Sequence, residues 1–249
     1  MNQSNESDEY RERQQRTRLL VGDGGLERLR NAHVLVLGVG GVGAYAAEQL
    51  ARAGIGRLTL IDGDCVEPSN CNRQLPALSS TLGQPKALVM AERLRQVNPD
   101  LDVQSRIEFI RESDVPELLA GDFDYAVDAI DSLGPKIAFL LECRRRKLPL
   151  ISSMGAGGKT DPAQIRLDDI SRTYGCALAR AVRSRLREHR VSRGIKVVFS
   201  PEAVPKSAVE SGLSPEGKQR STVGTISYMP ACFGCFCAGA VLRGLLQHQ

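Results

Sequence analysis

The chain has 249 residues, 42% of them hydrophobic, which excludes a chain too small or too polar to bury a core and fits one large domain, or one domain with an appendage. Its net charge of +4 is mildly basic and permits a polyanionic partner without demanding one. No apolar signal opens the sequence, so the seven cysteines are expected as thiols in a reducing compartment and the protein as cytoplasmic.

Residues 1–9 are polar and acidic and are expected to form a flexible tail. Residues 10–31 are rich in arginine, with Leu19, Leu20, Leu26 and Leu29 among them, and predict a short helix packed ahead of the first strand, its arginines on a solvated face. Residues 34–37 then form an apolar strand, followed by glycines at 38, 40, 41 and 43, a helix over 44–52 and a strand over 57–61 that ends on Asp62. Gly38 suits the tight turn, Gly40 the approach of phosphate and Gly43 the packing of helix on sheet. Asp62 lies 19 residues beyond Gly43, the spacing at which a carboxylate reaches a ribose hydroxyl. A polar loop, 63–72, leads to Arg73.

Gly83-Gln84-Pro85-Lys86 opens a second helix, with Pro85 at its first position and Ala87, Met90, Leu94 and Val97 at helical spacing, and Asn98-Pro99 stops it. Lys86 in the first turn opposes the helix dipole, a cost repaid where the helix start faces phosphate. A strand over 101–110, a short helix from Ser113-Asp114, and a buried strand over 125–131 with Asp131 at its carboxyl end follow. Asp128, inside that strand, is either a structural acid or one that orients Asp131. A helix with a basic end (136–146), a strand (148–152) and a flexible glycine loop (155–158) complete the alternation of strand and helix, which predicts an α/β, Rossmann-like, doubly wound and mostly parallel sheet.

From residue 160 the pattern changes. A short strand (164–167) precedes a basic insertion, 172–196, holding Arg172, Arg180, Arg183, Arg185, Arg187, Arg190, Arg193 and Lys196 against Glu188. It reads either as a solvated helix or as a track for a nucleic-acid backbone, and without interleaved aromatics no base stacking is expected of it. A strand over 196–200 and a mobile loop over 212–217 follow. The stretch 226–246 is uncharged until Arg243 and predicts a C-terminal apolar helix, buried or dimer-facing, with a membrane span as the alternative at the lower limit of length.

Cys232 and Cys235 form a single CxxC with no second pair, so no structural zinc is expected, and Cys65 and Cys71 have no histidine near them in sequence to activate a thiol. Asp62, Arg73, Lys86 and Asp131 fall on the ligand side of the sheet. A dinucleotide needs few cations there. An arginine, a lysine and a second aspartate suit a triphosphate, with Asp131 on Mg²⁺.

Five ordered segments carry a resemblance: Gly38 to Gly43, Leu60-Ile-Asp-Gly-Asp64, Ser69-Asn-Cys-Asn-Arg-Gln74, Gly83 to Lys86 and Asp128-Ala-Ile-Asp-Ser132. Together they resemble the ubiquitin-activating-enzyme-like adenylyltransferase superfamily. The resemblance implies an ATP site of Gly38, Gly40, Gly41, Gly43, Asp62, Asp64, Ser69, Asn70, Arg73, Gln74, Lys86, Asp131 and Ser132, with Arg73, Lys86, Asp131 and Arg16 catalytic. It also implies a homodimer in which Arg16 reaches the neighbour's phosphates, although Arg13 and Arg18 lie close by. Gly155 to Gly158, Asp161-Pro162 and the 197–203 segment extend the likeness to the branch that closes the threonylcarbamoyl group on adenosine 37 of tRNA into a ring. That branch implies an ATP-dependent ligase-type enzyme in which the threonyl carboxylate is adenylated and the carbamoyl group displaces AMP.

On this reading residues 10–249 form one adenylation domain. Residues 10–158 are its ATP-binding core and 159–249 a basic region for substrate and dimerisation, with Arg180, Arg183, Arg187, Arg190 and Lys196 on tRNA. The need for a monovalent cation and a role for a sulfur-acceptor or carrier protein stay open. The alternatives are an activator of a ubiquitin-like sulfur carrier, which the missing second CxxC and the basic insertion count against, and a nicotinamide oxidoreductase or nucleotide sensor.

Overall fold

A strand with apolar side chains on both faces must be covered on both, and β1 (His33–Leu37) divides its residues between two cores. Val34 and Val36 enter one, Leu35 and Leu37 the other, and none of the four is more than 1% exposed. The computed structural model describes residues 9–213 and 219–247. The expected tail, up to residue 8, and residues 214–217 of the expected mobile loop lie outside them.

The other strands are β2 (Arg57–Ile61), β3 (Asp102–Arg106), β4 (Tyr125–Asp128), β5 (Leu150–Ser153), β6 (Arg166–Asp169) and β7 (Lys196–Phe199). They form one seven-stranded sheet in the order β3-β2-β1-β4-β5-β7-β6, parallel throughout except for β6 against β7. The order reverses direction between β1 and β4, and in such sheets ligands bind outside the carboxyl ends of the strands at that switch point.

The first core takes Leu29 of α1 (Gln15–Asn31), Leu50 of α2 (Gly43–Arg52) and Met90 and Leu94 of α3 (Lys86–Val97). The second takes α4 (Val115–Leu118), Phe139 and Leu140 of α5 (Leu133–Arg146), and Val182 and Leu186 of α6 (Ala177–Glu188). Each fully buried Leu or Phe stabilises this packing by roughly 1.5–3 kcal/mol. The last helix, α7 (Tyr228–Gln247), joins the first core through Met229, Phe233 and Val241. A Cβ on its Gly234 would stand 2.5 Å from the Val42 carbonyl oxygen, so the glycine is what lets α7 lie against α2. Half of its apolar length is buried within the fold, so this helix packs as part of the core.

Several boundaries differ from the sequence pattern. The N-terminal helix is longer than expected and is broken at Gly22, whose φ is 74°. Pro85 is the cap and Lys86 the first helical residue. β3 stops at Arg106 and β4 at Asp128, because beyond Asp128 the chain turns and the Ile130 N–H is taken by the Asp128 carboxylate. The glycine loop at 155–158 is tied down, the Gly158 N–H donating to the Gly224 carbonyl at 2.7 Å. Gly212 and Leu213 of the expected mobile loop are instead strand, ending β8 (Val209–Leu213), which forms a hairpin with β9 (Gln219–Val223).

Candidate active site

The carboxyl ends of β1, β2, β4 and β5 surround a cavity of about 920 Å³, within the range of small-molecule sites. Gly38, Gly40 and Gly41 line it after β1, Asp62 and Asp64 after β2, Asp131 and Ser132 after β4, and Met154 to Gly157 after β5. Arg73, Gln74, Lys86, Leu178 and, from the hairpin side, Thr222, Val223 and Thr225 complete the wall. Both halves of the chain therefore contribute to one site.

The glycine turn is built by close approach. Gly38 has φ 87°, and a Cβ on Gly43 would stand 1.8 Å from the Gly38 carbonyl oxygen, so α2 starts directly against the turn. Asp62 holds this turn to its own loop: its carboxylate accepts the Val39 N–H at 2.8 Å and the Asp64 N–H at 2.9 Å. Burial pushes its carboxyl above the usual range, opposed by those two N–H donors and by the Lys86 charge. Lys86 is 5% exposed, and its ammonium stands 2.9 Å from Asp64, whose side chain is 56% exposed. A shielded lysine facing a solvated carboxylate can exchange that partner for a phosphate oxygen at little cost.

Arg73 is positioned from behind. Its guanidinium donates to the Ser69 carbonyl at 2.9 Å and to Asn72 at 2.8 Å. The buried Asn70 accepts the Glu67 N–H through its side chain and the Arg73 and Gln74 N–H groups through its carbonyl. Ser69 and Asn70 hold the turn that aims Arg73 and Gln74 into the cavity.

Asp131 and Ser132 are exposed in the cavity, and beneath them lies a buried ion pair. Lys136 and Asp128 are 0% exposed and 2.8 Å apart. The Ser152 hydroxyl donates to Asp128 at 2.6 Å, and the Lys136 ammonium to the Ile130 carbonyl at 2.9 Å. Of the two roles open to Asp128, the geometry gives it both: it is enclosed, and with Lys136 it fixes the backbone that presents Asp131.

Arg16 is exposed on α1, away from this chain's own cavity. Of its neighbours, Arg13 pairs with Glu9 and Asp100 and Arg18 with Asp23, whereas Arg16 has no ion pair among the described residues. Of the five basic candidates Arg180, in the first turn of α6, is the one nearest in sequence to a wall residue, two positions past Leu178. Arg187 and Arg190 fall at the far end of that helix, and Lys196 begins β7 at the end of the sheet opposite the cavity. Arg183 is half-buried and donates to the Thr173 carbonyl at 2.8 Å and to the Thr173 hydroxyl, which gives it a structural contact within the fold.

Other wall residues escaped the sequence pattern. Phe109, 73% exposed, lies over Gly63 at the Asp62 end of the cavity. Its position just past a parallel strand was the available signal. Lys159 and Glu202 clamp the glycine loop: the Glu202 carboxylate accepts the Thr160 and Asp161 N–H groups, each at 2.9 Å, and the Lys159 ammonium donates to the Glu202 carbonyl. Burial lowers the Lys159 ammonium below the usual lysine range, opposed by the fields of Cys176 and Glu202. Among the described residues no cysteine lines the cavity: Cys65 and Cys71 are exposed elsewhere, and burial pushes the Cys237 thiol up to about 12.

A nucleotide fits this wall. Gly40 and Gly41 open the backbone to phosphate, and the Gln74 side-chain oxygen, buried beside Gly40, has no hydrogen-bond donor and suits a ligand hydroxyl or amine.

The relationships of the chain agree with this architecture. A ThiF family model matches residues 12–249. The tRNA threonylcarbamoyladenosine dehydratase of Bacillus subtilis is 40% identical over 93% of this chain and 94% of its own. The protein of that name from Escherichia coli is 39% identical over 96% of each. The crystal structure of the E. coli tRNA N6-threonylcarbamoyladenosine dehydratase TcdA, in complex with ATP, superimposes with a TM-score of 0.87 at 38% identity over 96% of both chains. The chain belongs to the ThiF family, in the branch of the tRNA threonylcarbamoyladenosine dehydratases.

Proposed function

We propose that this enzyme uses ATP to dehydrate the threonylcarbamoyl group on adenosine 37 of tRNA, acting as a ligase-type adenylating enzyme in the cytoplasm. The observation that carries the reading is the meeting, in one cavity, of Arg73, Lys86 and Asp131 with the glycine turn and with a second wall from residues 153–225.

The glycine turn and Gln74 hold the nucleotide, with Phe109 beside the base and Asp62 at the ribose end. Lys86 and Arg73 take charge that develops on the phosphates. Asp131 is the residue that would hold Mg²⁺, which would supply positive charge to the phosphates. A carboxylate oxygen of the substrate attacks the α-phosphorus, and the bond from that phosphorus to pyrophosphate breaks. The tethered carbamoyl group then attacks the activated carbonyl carbon, loses a proton to solvent, and the bond to AMP breaks. Because nucleophile and electrophile share one side chain, ring closure has a large proximity advantage and needs no enzyme thiol. Arg16, exposed and without an ion pair among the described residues, is the arginine to cross a homodimer to the other subunit's phosphates.

The test is direct. tRNA carrying the linear modification is treated with protein and ATP, digested, and its nucleosides weighed. The modified adenosine should lose the mass of one water, and only when ATP is present. No loss at adenosine 37 refutes the reading. Adenylation of a carrier protein ending in Gly-Gly would instead make the chain a carrier-activating enzyme.

A further inference from the structure

The basic stretch 172–196 holds an aromatic that its arginines conceal. Tyr174 is 51% exposed, which overturns the expectation that the stretch has no platform for a base. Its ring meets Phe199 at 5.9 Å with planes 70° apart, and the Arg166 guanidinium stands 5.5 Å from its centroid. Phe199 ends β7 and pairs in register with Arg166 at the start of β6, so ring and guanidinium sit at the carboxyl end of β7. That is the end at which the cavity opens. The wall residue Met154 donates its N–H to the Val198 carbonyl at 2.8 Å, and Leu178, also on the wall, is four residues past Tyr174. A chain of that length spans at most about 14 Å.

The ring is held from both sides. Gly175 has φ 69°, and a Cβ there would stand 2.2 Å from the Pro201 carbonyl oxygen. Thr173 is buried, its hydroxyl donating to the Ile170 carbonyl and its own carbonyl accepting from Arg183. Arg166 has no carboxylate partner among the described residues. An exposed ring on a fixed backbone, with a guanidinium over it that has no carboxylate partner among the described residues, offers two planar groups of the kind on which unpaired bases stack.

We propose that Tyr174, with Arg166 beside it, stacks an unpaired base of the RNA loop adjacent to the reacting adenosine. This rests on the proposed reading of tRNA as substrate. An adenosine within a stacked loop must leave its neighbours to place its side chain beside a nucleotide in the cavity, and a ring at the mouth replaces part of the stacking lost. Arg180, nearby on α6, meets the adjoining phosphates.

The experiment uses the full chain and a stem-loop RNA with threonylcarbamoyladenosine in the loop and the fluorescent base 2-aminopurine on its 5′ or its 3′ side. Wild-type protein and Tyr174→Phe should quench one of the two probes. Tyr174→Leu, which keeps the packing on Phe199, should lose the quench and bind about 5- to 150-fold more weakly. Its ATP affinity should match wild type, and so should its slope of log Kd against log salt, since no charge is removed. Arg166→Gln should weaken binding and reduce the quench. The proposal is overturned if wild-type protein binds this RNA with neither probe quenched, or if Tyr174→Leu binds and quenches as wild type does. Wild-type protein that neither binds nor converts the RNA refutes the substrate reading itself, before any variant is made.

Discussion

Lys86 and Lys136 each meet an aspartate at nearly the same distance, 2.9 Å to Asp64 and 2.8 Å to Asp128. The first pair borders the cavity and its aspartate is 56% exposed. The second is fully enclosed, with Ser152 and the Ile130 carbonyl as its further partners. Identical chemistry thus serves two ends. Lys86 can exchange its hydrated carboxylate for another anion. Lys136 has no such freedom, because opening its pair would leave a charge buried alone.

The largest effect should come from breaking the enclosed pair. Lys136→Met strands Asp128, and unfolding in urea should show a loss of about 3–5 kcal/mol, much of it restored when Asp128→Leu is added. A single variant as stable as wild type would erase the contrast between the two lysines. Lys86→Met should do the reverse: turnover falls about 10²- to 10³-fold, as when one oxyanion donor is removed, while stability stays within about 1 kcal/mol because Asp64 is hydrated. Steady-state rates beside urea melts check both halves.

The same division applies to two arginines of α6. Arg180→Ala should lower the slope of log Kd for tRNA against log salt by about one, as loss of a phosphate contact does. Arg183→Ala should leave that slope unchanged and lower stability by about 1–3 kcal/mol, since the buried Thr173 loses its donor. The smallest effect is that of pH on Glu202. The Asp161 N–H, with the N–H and hydroxyl of Thr160, holds its carboxyl below the usual range against the opposing effect of burial. A lowered folded pKa adds stability above the ordinary glutamate range and loses it as pH falls through the folded value. Glu202→Gln should therefore flatten stability against pH on the acid side and leave the neutral side nearly level.

The nucleotide side of the site was legible because its geometry is local. A strand, Gly38 to Gly43, a helix and Asp62 follow one another in the chain, and Lys86 announces itself by sitting against the helix dipole. The doubly wound sheet followed from the same alternation. The boundary of β4 was not legible, since its end is set by Asp128 bonding Ile130 while held by Lys136 and Ser152. The support that the buried Asn70 gives to the Glu67–Gln74 turn was not legible, since sequence shows a polar side chain in a loop without showing which backbone groups it bonds. The hairpin wall and the Lys159–Glu202 clamp depend on residues some 40 or more positions apart. Tyr174 was lost among arginines because its exposure is set by Gly175 and Pro201, which no periodicity reports.

The central claim is that a carboxylate oxygen becomes bonded to the α-phosphorus and leaves with AMP. Substrate tRNA with heavy oxygen in the threonyl carboxylate tests it: after one turnover with unlabelled ATP, the AMP should carry one heavy oxygen and the pyrophosphate none. Unlabelled AMP, with the heavy oxygen in inorganic phosphate or water, would contradict it.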